Sequence, residues 1–271
     1  MSPSAAEAQI DRNVRIHDRV AASYEDTHDE IFNSVEQSRL RADLERAAAA
    51  LRTGSAPPRA LDFGCGSGNL TRHLLDLGFE VVAADVSEGF LRLIERRFDG
   101  RSVETRRLDG KGLGGFADAA FDLVAAYSVL HHIPDYLAAV DEMARVVRPG
   151  GIVYIDHEHS PGHWTPGPDY REFLRRARRF DWSKFLVPRN YYGKLRRLLI
   201  DPHYSNEGDI HVWPDDHIEW EEIGRLLAAA GFETLFARDY LVFRSGYRPE
   251  VHRVYRDRCA DMRVIAARRE G

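Results

Sequence analysis

From Leu61 onward, short apolar runs alternate with segments in which apolar side chains recur every three or four residues. The short runs predict strands over residues 60–63, 79–84, 102–107, 121–127 and 152–157. The longer-period segments predict helices over 68–77, 87–98 and 135–147. Such βαβα alternation predicts a parallel sheet with helices on both faces and ligands bound beyond the carboxyl ends of the strands. Ahead of it, residues 8–52 read as helices, because Ile10, Val14, Val20 and Ala21, then Leu40, Leu44, Ala47, Ala48 and Leu51, recur at helical spacing. Gly54 and Pro57-Pro58 end that region.

The interval 158–214 breaks the rhythm. It holds prolines at 161, 166, 168, 188, 202 and 214, tryptophans at 164, 182 and 213, and an arginine-rich helical stretch from Tyr170 to Phe180. The regular pattern resumes with Asp215-Asp216 as a helix cap before Ile218 to Ala230. The predicted division is therefore a helical cap over 1–57, a nucleotide-binding core over 58–157, an insertion over 158–214 that serves as a lid and lines the substrate pocket, and the rest of the core over 215–271.

The most informative segment is Leu61-Asp62-Phe63-Gly64-Cys65-Gly66-Ser67-Gly68, followed by a helical pattern, a second apolar run and Asp85. Closely spaced glycines between strand and helix let a backbone approach a ligand, and an acid about 20 residues on is placed to accept from ribose hydroxyls. A dinucleotide site expects G-x-G-x-x-G with a helix start aimed at pyrophosphate. Here an acid stands two residues before the first glycine, which repels pyrophosphate and suits the ammonium end of an amino-acid ligand.

This segment resembles the first motif of the class I S-adenosylmethionine-dependent methyltransferases. Leu108-Asp109-Gly110, the run Phe121 to His132, Val147-Arg148-Pro149-Gly150-Gly151 and the stretch Ile223 to Phe232 resemble later motifs of that family in the same order. The subgroup they resemble is the ubiquinone/menaquinone-biosynthesis type, methyltransferase type 11. The resemblance implies a Rossmann-like, doubly wound α/β fold with a mostly parallel seven-stranded sheet, N-terminal helices and an inserted lid. It implies S-adenosylmethionine as cofactor, with Asp62, Gly64, Cys65, Gly66 and Gly68 at its methionine portion, Asp85 at the ribose and Val86 among the other cofactor-binding residues. Leu108, Asp109 and Gly110 then lie at the adenine, Tyr127 is a further cofactor-binding residue, and Tyr24 lies where the family closes over the methionine end.

The acid–base candidates follow the strands. His132, with His131, follows the fourth strand, and Asp156-His157-Glu158-His159 follow the fifth. By strand alternation Asp156 and Glu158 share one face while His157 and His159 share the other. His157, Glu158 and His132 are the candidate catalytic groups. A His-x-His pair alone fits no metal motif even with His163, His203, His211 and His217, so no metal is expected. Arg171, Arg175, Arg176, Arg178 and Arg179 either meet an acidic substrate or form a solvated face with Glu172 and Asp169. Tyr191-Tyr192, Trp213 and Trp220 line an apolar pocket or belong to the core.

Composition narrows the picture a little. The chain has 271 residues, 44% hydrophobic and 30% charged, with a net charge of −5, which argues against a nucleic-acid partner. All but three of its 38 basic residues are arginine. Two cysteines, Cys65 and Cys259, give no disulfide framework. No apolar run reaches membrane-spanning length and Met1 to Gln9 lacks a leader's apolar stretch, so a cytoplasmic enzyme is expected. The expected partner is a small-molecule methyl acceptor, in secondary metabolism or in cofactor or glycan biosynthesis. The oligomeric state stays open, a homodimer among the options. Two other readings remain: a protein of this fold that binds the cofactor without methyl transfer, and an NAD-dependent oxidoreductase.

Overall fold

The computed structural model describes residue 25 and residues 28–51, 57–110, 112–178 and 218–271. Its elements are α1 (Asp29–Phe32), α2 (Ser34–Ala49), β1 (Arg59–Phe63), α3 (Asn69–Asp76), β2 (Glu80–Asp85), α4 (Glu88–Arg97), β3 (Val103–Arg107), β4 (Phe121–Tyr127), α5 (Tyr136–Val146), β5 (Val147–His159), α6 (Pro161–Trp164), α7 (Pro168–Ala177), α8 (Trp220–Ala229), β6 (Phe232–Tyr240), α9 (Pro249–Tyr255) and β7 (Met262–Arg269). The strands form one seven-stranded sheet in the order β3-β2-β1-β4-β5-β7-β6. The five from β3 to β5 pair in parallel, while β7 runs antiparallel to both β5 and β6. The mostly parallel seven-stranded expectation is met.

Period-two alternation explains why the central strands read as unbroken apolar runs: both faces are covered. Leu123, Ala125 and Tyr127 pack with Leu40 and Leu44 of α2, Leu70 and Leu74 of α3 and Ile94 of α4. The intervening Val124 and Ala126 pack with Val140 and Met143 of α5 and Ile223 and Leu227 of α8. A satellite cluster of Tyr170, Phe173 and Ala177 with Leu241, Tyr247 and Tyr255 joins α7 to α9 and the end of β6.

The N-terminal helix is held by charge as well as by its apolar stripe. Arg39 of α2 reaches Glu36 Oε2 at 2.8 Å, Asp43 Oδ2 at 3.0 Å and Asp156 Oδ2 at 2.9 Å, and its guanidinium lies 3.9 Å from the centre of the Tyr240 ring. Asp156 is fully buried and also accepts from the hydroxyls of Tyr154 (2.7 Å) and Tyr240 (2.9 Å). Glu36 accepts from Phe243 N–H at 2.8 Å. A buried ionic cluster with so many hydrogen bonds fixes the register of α2 against β5 and β6, and removing one partner leaves an uncompensated charge inside.

Several expected elements differ in detail. β5 begins at Val147 and runs through His159, because β4 pairs along one side of it and β7 along the other. It therefore crosses the expected boundary between residues 157 and 158. α8 starts at Trp220, with Glu219 in the cap position and no side-chain cap bond; Asp215 and Asp216 lie outside the described residues. The arginine-rich helix ends at Ala177. Arg175 pairs with Glu172, Arg176 reaches Tyr255 OH at 3.3 Å, and Arg258 meets Asp169 at 2.7 Å, which matches a solvated helix face; Arg179 lies outside the described residues. Trp220 is core, its indole N–H donating to His159 O at 2.8 Å. Tyr191, Tyr192 and Trp213 lie outside the described residues.

Candidate active site

At the carboxyl edge of β1, β2 and β4 a cavity of about 360 Å³ opens over the glycine turn. The turn is built from backbone bonds. Gly64 N–H and Cys65 N–H both donate to Ala84 O (2.8 and 3.0 Å), and Gly68 N–H donates to Cys65 O (2.9 Å). Gly68, at φ +94°, starts α3 against α4, where a Cβ would stand 2.6 Å from Ile94 Cδ1. Gly66, at φ +48°, faces open space: a Cβ there meets nothing within 4 Å. A side chain at Gly66 would be strained, and the cradle is kept bare.

Asp85 closes the turn from the end of β2. Its Oδ2 accepts from Gly66 N–H at 2.9 Å and its Oδ1 from Ser87 N–H at 2.8 Å. Ser67 Oγ and Asn69 Nδ2 are buried polar atoms with no hydrogen-bond partner among the described residues, and both residues line the cavity. Unanswered buried donors are uncommon and mark where a ligand supplies the missing partner.

Of the residues expected at the cofactor, Gly64, Cys65, Gly66, Asp85, Val86, Leu108, Gly110 and Tyr127 line this cavity. Gly68 stands behind it as a packing glycine. Burial pushes the Cys65 thiol well up, so it stays protonated and acts as a small apolar wall residue. Tyr24 lies outside the described residues.

Asp62 and Asp109, also expected at the cofactor, are not among the residues that line the cavity. Asp62 is 1% exposed and is not in the cavity lining; its Oδ2 accepts from Thr71 Oγ1 at 2.6 Å. Burial pushes its carboxyl up to about 7. Asp62 therefore ties β1 to α3 beneath the turn, whereas spacing alone suggested an outward carboxylate. Asp109 is exposed and lines a neighbouring surface depression with Gly112 and Glu142, while Leu108 and Gly110 on either side reach the cavity.

The strand-5 acid–base group also differs from expectation. The β5–β7 register shifts between Ile155 and Glu158, and His157 takes φ +62°. This bulge breaks the alternation, which puts Asp156 and His157 into one buried network and turns Glu158 elsewhere. His157 Nδ1 lies 3.1 Å from Tyr127 OH and 3.2 Å from Tyr240 OH, and its ring stacks on Tyr127 at 4.8 Å. Burial, with Arg39 nearby, holds its imidazole well below the usual range, so it stays neutral. Glu158, 1% exposed, accepts from Val129 N–H (2.8 Å), Leu130 N–H (2.7 Å) and His131 Nδ1–H (2.7 Å). Neither His157 nor Glu158 lines the cavity; both make their hydrogen bonds in the layer behind its wall.

His132 does line it, at the end of the short 3₁₀ turn Leu130–His132. Its ring lies 4.0 Å from that of His131, which Glu158 holds from behind. Sequence reasoning missed Ile31 and Phe32, which form a wall from the N-terminal side, along with Phe63, Phe90, Ser67, Asn69, Val129, Ile133, Pro134 and Asp135. Asn33 was the available signal for the first pair: it caps α2 through Val35 and Glu36 N–H (both 3.0 Å), so the preceding residues must leave the helix axis. Among the described residues no three His, Cys, Asp or Glu side chains converge as a metal site, and no helix is long and apolar enough to cross a membrane.

A doubly wound sheet with a bare glycine turn bound to a strand-end carboxylate defines a nucleotide-binding protein of the Rossmann-like class. Residues 61–155 match the family model described as a methyltransferase domain. A demethylmenaquinone methyltransferase of Corynebacterium urealyticum is 30% identical over 235 residues, covering 87% of this chain and 91% of that one. Another, from Thermus thermophilus, is 34% identical over 50% of this chain. That alignment spans 64% of the relative's own length, and the match to a ubiquinone biosynthesis O-methyltransferase of Cereibacter sphaeroides spans 60%. In fold, the chain is similar to an S-adenosylmethionine-dependent methyltransferase of Mesorhizobium loti, with a TM-score of 0.54 at 21% identity, covering 84% of this chain and 98% of that one. The chain belongs to the S-adenosylmethionine-dependent methyltransferase family. Its bare cradle, the unanswered donors of Ser67 and Asn69 and the Asp85 carboxylate fit that cofactor.

Proposed function

We propose that the chain transfers a methyl group from S-adenosylmethionine to a small-molecule acceptor. One observation carries the reading: the Gly66–Asp85 clamp beneath a cavity with open space at Gly66. Asp85 accepts from ribose hydroxyls, the backbone at Gly64 to Gly66 lies along the amino-acid portion, and Ser67 and Asn69 offer it hydrogen bonds. Val86, Phe90 and Leu108 give an apolar slot for the adenine, with Gly110 at its rim. When bound, the sulfonium supplies a methyl group that is already electrophilic. The protein's part is to hold the acceptor in line at near-attack distance and to exclude water.

Ile31, Phe32, Tyr127 and Ile133 supply the water-excluding wall. His132 is the group we assign to receive a proton from an acceptor hydroxyl, because it is the imidazole in the cavity wall and Glu158 braces its turn through His131. His157 and Tyr240 hold the Tyr127 ring in place. The names of the relatives direct the first assays to demethylmenaquinone and to hydroxylated ubiquinone precursors. The test is calorimetry with S-adenosylmethionine and S-adenosylhomocysteine, followed by a methyl-transfer assay across those acceptors. Binding of both with transfer to an acceptor is the expected result. Binding of neither overturns the reading, and binding without transfer to any acceptor would return the chain to the non-transferring alternative.

A further inference from the structure

Between two residues of the cavity wall stands a glutamine whose amide has every hydrogen-bonding position filled. Gln37 of α2 donates through Nε2 to Ile31 O at 2.9 Å and to Asn69 Oδ1 at 2.8 Å. Its Oε1 accepts from Arg72 and, at 2.9 Å, from His73 Nε2–H. A primary amide has two N–H donors and an oxygen with two lone pairs, so nothing of Gln37 is left over. The arrangement also has only one sense. Arg72 can only donate and the Ile31 carbonyl can only accept, so the oxygen faces Arg72 and His73 while the nitrogen faces Ile31 and Asn69. Burial, with Arg72 beside it, pushes the His73 imidazole down to about 4, so the ring is neutral and carries its proton on Nε2 toward Gln37.

That sense is passed on to Asn69. A donor on Gln37 requires an acceptor opposite, so Asn69 turns Oδ1 to Gln37 and keeps Nδ2 for another partner. Asn69 is the first residue of α3, is 9% exposed and lines the cavity, and its Nδ2 is buried without a hydrogen-bond partner among the described residues. Ser67, 3% exposed, lines the same cavity with its Oγ equally unanswered, and Arg97 fixes it by donating to its carbonyl at 2.8 Å. The start of a helix favours negative charge. The acid expected at a ligand ammonium, Asp62, stands outside the cavity lining and accepts from Thr71 Oγ1 at 2.6 Å. Asp85 is engaged by the Gly66 and Ser87 N–H groups. The Ser67–Asn69 end of the cradle thus offers donors and a positive helix end, which suit an anion.

Taking the methyltransferase reading as its basis, we propose that Asn69 Nδ2, with Ser67 Oγ, binds the α-carboxylate of S-adenosylmethionine, and that Gln37 is the positioning residue that keeps the Asn69 amide in its donating sense. The amino-acid end of the cofactor is then recognised by its carboxylate, where an outward acid at position 62 would have selected its ammonium. Because the same Gln37 amide also holds the Ile31 carbonyl, one side chain sets both this donor and the Ile31 wall.

The test titrates the full chain calorimetrically with S-adenosylhomocysteine, its decarboxylated analogue and its deaminated analogue. In wild type, loss of the carboxylate should weaken binding at least about tenfold, and by more than loss of the amine does. N69D keeps an oxygen for Gln37 but turns a second one toward the ligand, so the decarboxylated analogue should bind it more tightly than S-adenosylhomocysteine does. In Q37E an acceptor replaces the donor, the Asn69 amide turns over, and the penalty for losing the carboxylate should fall below about threefold. A merely structural role for Gln37 would weaken all three ligands alike and leave their ratios unchanged. A wild-type penalty for deamination that equals or exceeds that for decarboxylation, or an unchanged penalty in N69D, overturns the carboxylate site. An unchanged ratio in Q37E overturns the positioning role. The wild-type comparison decides the site even where a variant fails to fold. Failure of wild type to bind S-adenosylhomocysteine is a separate result, which removes the methyltransferase reading and this site with it.

Discussion

Replacing Glu158 with alanine removes, in one step, the acceptor for Val129 N–H, Leu130 N–H and His131 Nδ1–H. Leu130 is fully buried, so its N–H is left without water to replace the lost carboxylate. A buried donor without a partner costs about 1–3 kcal/mol, and the hydrogen bonds lost here were made to a charged acceptor. Counting Leu130 in full and the half-buried Val129 and His131 in part, E158A should lose about 3 kcal/mol of stability. E158Q keeps an oxygen for the two backbone donors and should lose only about 1 kcal/mol. Urea unfolding of the full chain measures both without any acceptor. A slackened turn would also misplace His132, so turnover should fall in E158A and be largely retained in E158Q. A general base gives the opposite pattern, with both variants near wild-type stability and equally inactive. Stability of E158A within about 0.5 kcal/mol of wild type would refute the anchoring role.

Asp85→Ala should weaken S-adenosylhomocysteine binding by about 1–3 kcal/mol in calorimetry, because the ribose acceptor and the Gly66 anchor go together; unchanged affinity contradicts the assignment. Gly66→Ala should cost about 1 kcal/mol of stability through its left-handed backbone yet reduce cofactor affinity at least roughly tenfold, since the new Cβ occupies the cradle. Arg39→Met should destabilise the fold by about 3–5 kcal/mol in urea, because Asp156 is left charged and buried; a loss under about 1 kcal/mol would mean the cluster is structurally idle. For Asp62 the pH dependence has a definite sign. Burial raises its carboxyl from 3.8 to about 7, so between those values the folded chain holds more protons than the unfolded one, and stability falls as pH rises. Asp62→Asn removes that penalty, and the stability difference between variant and wild type should grow by about 2–4 kcal/mol from pH 5 to pH 8, measured by urea unfolding. A difference independent of pH would show that Asp62 does not titrate there.

How far the sequence could be read depends on what each feature is made of. The strands and the helices between them were legible because apolar side chains buried on both sheet faces leave continuous or period-3.6 patterns, as at Leu123 to Tyr127 and Leu40 to Ala47. The glycine turn and Asp85 were legible because backbone geometry demands particular residues at fixed intervals. The bond from Thr71 to the Asp62 carboxylate was not legible, because spacing gives no side-chain direction. The faces expected for Asp156 to His159 were not legible because one bulge at the end of β5 breaks the alternation, and a bulge that uses histidine at positive φ has no glycine to announce it. The Arg39 cluster was hidden for another reason. Its partners lie 117 residues apart at Asp156, and a polar residue on an otherwise amphipathic helix reads as exposed.

The most direct measurement is a crystal structure of the chain soaked with S-adenosylhomocysteine. The ligand should lie along Gly64 to Gly66, with both ribose hydroxyls on Asp85, the adenine against Leu108 and the sulfur facing the side of the cavity that carries Tyr127 and His132. Density at any other site, with the cavity filled only by solvent and the Asp85 carboxylate bound to protein donors alone, would contradict it.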